Sequence, residues 1–239
     1  MVSYPEMRQR VLDDLSIAGI PADRFHVAST GNIGEGYFYY TCGGATMRYS
    51  YTERGQVTVL CESRDPRDLE YAILQDILLP AAQAYELAHR DYYRDSRRIW
   101  IAWALEQMKK IDEDFYERLK AKYEEILAQH PFNDIESGKT AVRFQMELCL
   151  KHVQIPRGRP YAAVRRERKK LLRILTTTRE KGLNFSDAGI QKLLQRWLQF
   201  QEAFTACGLQ PDESIRKNWE PLSQFAQKLQ DMEENPGQK

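Results

Sequence analysis

Met7, Val11 and Leu15, with Ile17 or Ala18 beyond, recur at near-helical spacing before Gly19-Ile20-Pro21 stops the run, which predicts a short amphipathic lead helix. From Phe25 to Ser63 the period changes. The segments GYFYYTC, ATMRYSYT and QVTVLCES are rich in aromatic and β-branched residues, and they are separated by Gly43-Gly44 and by Glu53-Arg54-Gly55, both suited to hairpin connections. An antiparallel sheet of three or four strands is expected.

Helix chemistry resumes at SRDPRDLEYAI. Asp65 can cap, Pro66 suits the first helical position, and Asp68 places negative charge in the first turn. This helix is expected to run through Tyr71, Leu74 and Leu78 to Pro80, where it must kink or restart. A helix over about 94–111 carries Ile101, Leu105, Met108 and Ile111 on one stripe, and one over about 113–130 carries Phe115, Leu119, Tyr123, Ile126 and His130. HPFND then breaks the chain. After Gly138 a further helix presents Val142, Met146 and Cys149, and IPRGRP at 155–160 reads as a linker. Three amphipathic stretches follow. They are marked by Val164, Leu171 and Leu175; by Ile190, Leu194, Trp197 and Phe204; and by Ile215, Trp219, Leu222, Ala226 and Leu229, a set able to form a small bundle.

The whole is an α+β pattern: a small N-terminal antiparallel sheet, a mostly helical body and a C-terminal three-helix extension. The expected domains are residues 1–136, a helical extension over 137–232, and a frayed tail over 233–239. At 239 residues the chain can build a proper core without metals or disulfides. Its formal net charge of +1 gives no global pull toward nucleic acid or anionic membranes, so partners must be argued from segments.

Cys42, Cys61, Cys149 and Cys207 are widely separated, with no C-x-x-C and no zinc-finger spacing, and read as small buried thiols of a reduced protein. The N-terminus has acidic residues where a signal peptide needs an apolar run, and no later stretch approaches a membrane span. A cytoplasmic protein without membrane contact is expected.

Glu86 and His89 have the E-x-x-H spacing of di-iron bundles, but no second E-x-x-H exists, and His26, His130 and His152 lack a matching glutamate at three or four residues. No metal and no cofactor is expected. The glycines of GNIGEG at 31–36 precede a strand, where a dinucleotide cradle needs a following helix, so a hairpin loop is the better reading. No G-x-S-x-G or H-E-x-x-H is present, and no catalytic residue is assigned. Asp112, Glu113, Asp114 and Glu117 suit the first turn of a helix. Arg165, Arg166, Lys169, Lys170 and Arg173 form the basic side of a leucine-striped helix; it can serve as a solvated or protein-binding face, or, in the alternative, as a nucleic-acid-binding surface.

In YELAHRDYYRDSRRIW, residues 85–100, Glu86 and Arg90 form an i,i+4 pair, and Arg97 and Arg98 sit at the margin of a buried stripe, within reach of Glu86 or Asp95. These residues also carry a resemblance. From about Phe25 to Asp134 the chain resembles the immunity protein 63 family of bacterial polymorphic toxin systems. The shared features are Glu53-Arg54-Gly55, DLEYAI with Tyr71, then AxxYExxxR with Tyr85, Glu86 and Arg90, DxRR with Asp95, Arg97 and Arg98, and the HPFND close. The resemblance implies an intracellular, non-enzymatic protein that binds and neutralises a cognate toxin encoded nearby. It assigns no residue to toxin contact, so the motif residues can be structural or partner-binding. Nucleic acid is the less favoured partner.

Overall fold

The structure, a computed structural model, describes residues 2–29, 36–180 and 186–234. The GNIGEG loop, apart from Gly36, and the end of the tail lie outside the described residues. The chain divides into two compact units, Met1–Arg90 with Ser96–Phe132, and Asp91–Asp95 with Asn133–Lys239.

In the first unit, α1 (Tyr4–Ile17) opens with a capping box: Ser3 Oγ accepts from the Glu6 N–H, and the Ser3 N–H donates to Glu6 Oε2 at 2.8 Å. Met7, Val11 and Leu15 are buried along one face, as the spacing predicts, while Ile17 stays exposed. The sheet follows as β1 (Val27–Ser29), β2 (Tyr37–Gly43), β3 (Thr46–Glu53) and β4 (Gln56–Ser63), in that spatial order. It is mixed rather than antiparallel throughout, because β1 pairs parallel to β2 with Val27 opposite Phe38. Three residues are too few to show alternation, and strand direction leaves no periodic trace. The other pairs are antiparallel hairpins, and β4 carries a bulge where Val59 and Cys61 oppose Ser50 and Tyr49.

Three helices complete this unit: α2 (Pro66–Ala88), α3 (Arg97–Ile111) and α4 (Glu113–Gln129). Of the kink or restart expected at Pro80, the restart does not occur; α2 continues through it to Ala88. Pro80 has no N–H to donate to the Asp76 carbonyl, and its ring is exposed. Tyr40, Met47 and Tyr49 from the sheet meet Leu69, Ile73, Leu74, Ile77 and Leu78 from α2, with Ile101, Met108, Phe115 and Leu119 closing the core. Each such side chain contributes about 1.5–3 kcal/mol by leaving water. In α4, Ile126 is exposed and Leu127 packs inward in its place.

The second unit contains α5 (Asp134–His152), α6 (Ala162–Glu180), α7 (Asp187–Ala206) and α8 (Glu213–Glu234). α5 starts four residues before Gly138, under an Asn133 cap that accepts from the Glu136 N–H at 3.0 Å. Gly138 therefore lies inside the helix. A methyl carbon there would sit 2.1 Å from Phe225 Cε2, so the position needs a glycine for close packing, not for a turn. The IPRGRP linker is tied down: Ile155 packs on the core, and Arg159–Tyr161 forms a short 3-10 turn. Trp197 and Trp219 are core residues, with ring centroids 4.6 Å apart at 60°. No described helix is long and apolar enough to cross a membrane.

Candidate partner-binding surfaces

Glu86 is 3% exposed and its carboxylate is held bidentately by Arg90, with Nε to Oε1 at 2.7 Å and a terminal nitrogen to Oε2 at 2.8 Å. Such a fork satisfies a carboxylate that would be costly to bury alone. Arg97 turns to the end of α4 and donates to the carbonyl oxygens of His130 at 2.7 Å and Pro131 at 2.8 Å. Its guanidinium lies 5.6 Å from the Phe132 ring centre, and that of Arg98 lies 4.3 Å away. Glu86, one of the two carboxylates expected for these arginines, is thus Arg90's partner.

His89 stacks on Tyr85 at 3.9 Å, and Tyr85 on Trp103 at 5.5 Å. His89 Nδ1 lies 2.8 Å from the Tyr85 carbonyl oxygen. Among the described residues no group of three His, Cys, Asp or Glu side chains converges to hold a metal. In the second unit, Asp95 is buried and pairs reciprocally with the start of α5. Its Oδ2 accepts from the Asn133 N–H at 2.9 Å, and its own N–H donates to Asp134 Oδ1 at 2.9 Å.

Tyr71 belongs to a crossed pair of contacts between α2 and α4 that periodicity does not reveal. Arg118 lies 4.2 Å over Tyr71 and 3.1 Å from Asp68, while Arg67 lies 4.7 Å over Phe115 and 2.9 Å from Asp112. Burial opposes ionisation of Asp112, yet the Phe115 N–H and the Arg67 guanidinium hold its carboxyl below the usual carboxylate range. A second unforeseen pair joins α1 to α2. Asp14 is pushed up to about 7 by burial and by the adjacent Glu70 carboxyl, and its Oδ2 is buried without a hydrogen-bond partner. Arg10 reaches Glu70 only at 3.7 Å.

The sheet has two unlike faces. Phe38, Tyr40, Met47 and Tyr49 point inward to the helices, so Tyr37 and Tyr39 point outward. The pairing sets two rows across that outer face: Tyr37, Thr52 and Val57, then Tyr39, Ser50 and Val59. Tyr37 is 49% exposed, Val57 58% and Val59 46%, and bulged Leu60 is exposed beside them. Arg48 and Glu62 close one end of the face as an ion pair at 3.0 Å, with Thr46 also donating to Glu62. At the other end Glu53-Arg54-Gly55 makes a two-residue turn, with φ of 50° at Arg54 and 75° at Gly55, the dihedral signature of a type I′ hairpin. Cys42 is exposed on β2, contrary to its expected burial; Cys149 is buried, and Cys61 and Cys207 are half-buried.

The basic face of α6 is smaller than the sequence suggests. Arg165 folds back onto the carbonyls of Pro156 and Gly158, and Lys170 pairs with Glu167 at 2.7 Å. Arg168 caps the end of α5 through the carbonyls of Leu150 and Lys151. Arg166, Lys169 and Arg173 are exposed and make no hydrogen bond or ion pair among the described residues.

Residues 43–125 match the family model described as Immunity protein 63. The match takes in Glu53-Arg54-Gly55, DLEYAI, AxxYExxxR and DxRR, and is narrower at both ends than the resemblance traced over 25–134. No curated protein and no solved structure matches the chain. The matched segment, residues 43–125, builds β3, β4, α2, α3 and most of α4, and over it the chain is similar to the immunity protein 63 family.

Proposed function

We propose that this chain is a bacterial immunity protein that neutralises a cognate toxin by stoichiometric binding inside the cell, without catalysis. The family match over residues 43–125 carries the reading. The internal engagement of Glu86, Arg90, Asp95 and Arg97 supports it, because these groups hydrogen-bond within the fold. Tight inhibitory complexes draw their affinity from a few buried anchors with complementary charge around them, and need no active site in the inhibitor. The test is co-expression with the toxin domain encoded in the adjacent reading frame. Growth rescue together with co-purification of the two chains is the expected result; absence of both removes the proposal.

The alternative, a nucleic-acid-binding regulator acting through α6, draws on Arg166, Lys169 and Arg173. With Arg165 and Lys170 engaged within the fold, three phosphate contacts are available from this helix's proposed set. Affinity for DNA or RNA that falls steeply across a salt series would favour it.

A further inference from the structure

We infer that the toxin docks on the outer face of the sheet and the β3–β4 hairpin tip, and that it presents an apolar projection flanked by a carboxylate that meets Arg54. This rests on the neutralisation reading above. Four exposed apolar residues, Tyr37, Val57, Val59 and Leu60, lie on two neighbouring strand rows of that face or on its bulge. A patch of this kind on a sheet face marks an interaction surface more often than chance exposure of single residues does.

The charge around the patch selects the partner. At one end Arg48 and Glu62 satisfy each other. At the other, Glu53 and Arg54 are both exposed; Glu53 pairs across with Gln56 and so has the parity of the inner face, which leaves Arg54 as the tip cation beside the outer face. Arg54 is exposed and makes no hydrogen bond, ion pair or ring contact among the described residues. Its φ of 50° is costly for a side chain that is neither glycine nor asparagine, and turn chemistry alone would favour those residues at this position. Backbone strain held without local compensation is characteristic of contact sites. β4 is also the last strand of the sheet, so its outer main-chain edge can take hydrogen bonds from the partner.

The test measures binding of the purified toxin domain from the adjacent reading frame by calorimetry, with thermal melting of every variant. Val59→Asp is expected to weaken the complex by about 100-fold, since it charges an apolar centre. Arg54→Gly is expected to weaken it about tenfold while raising the melting temperature by roughly 2–4 °C, because the glycine relieves the backbone cost. A merely structural arginine would not separate these two readouts. Arg54→Lys should recover most of the affinity. Wild-type affinity in both Val59→Asp and Arg54→Gly overturns the surface and leaves neutralisation standing, as does loss of binding in Arg173→Glu alone. A wild-type chain that fails to bind the toxin overturns both. A self-dimer dispersed by Val59→Asp, with toxin affinity unchanged, assigns the face to a second copy and also overturns the proposal.

Discussion

At the residue scale, the informative groups are buried charges and what each is given as a partner. Glu86 and Arg90 were legible because an i,i+4 spacing on a helix announces itself. The acceptors of Arg97 were not, because backbone carbonyls and an aromatic face leave no mark in a sequence. Arg90→Ala is expected to cost about 1–3 kcal/mol by stranding the Glu86 carboxylate, and Arg97→Ala a similar amount through two lost carbonyl contacts. Chemical denaturation of each variant checks this; wild-type midpoints would show that neither contact matters. Asp14 makes a pH prediction. Its folded value of about 7 lies above the ordinary 3.8, so the fold favours the protonated form. The stability it contributes is full below about pH 4, declines as pH rises toward 7, and is gone above that range. Asp14→Asn should flatten that decline in a melting series from pH 4 to pH 8.

At the element scale, the helices follow from apolar spacing and caps, and the strands from β-branched and aromatic runs. The exceptions have physical causes. Pro80 sits on an exposed stretch of α2, where a missing hydrogen bond is tolerated, and Gly138 serves the approach of Phe225, which lies far away in sequence. Gly138→Ala should destabilise the second unit by about 1–3 kcal/mol, the usual cost of overpacking, despite alanine's better helix propensity. Restoration by the double variant Gly138→Ala with Phe225→Leu would confirm the clash, and an unchanged or raised stability in the single variant would refute it. The parallel pairing of β1 had no local signal at all.

At the scale of the whole molecule, the family resemblance was legible through the order and spacing of short motifs, none of them chemically telling alone. Glu53-Arg54-Gly55 read as a plain hairpin turn. Its positive φ at arginine, and the apolar face beside it, are properties of pairing and register that only the folded sheet displays. The acidic run at 112–117 proved to be a helix cap joined to Arg67, and the basic run at 165–173 lost two of its members to internal contacts. The central claim is stoichiometric neutralisation. Titrating the purified chain into the toxin domain from the adjacent reading frame, while following toxin activity, tests it most directly: the account predicts a linear fall to zero at one chain per toxin, and either undiminished activity or complete inactivation by a small fraction of an equivalent would contradict it.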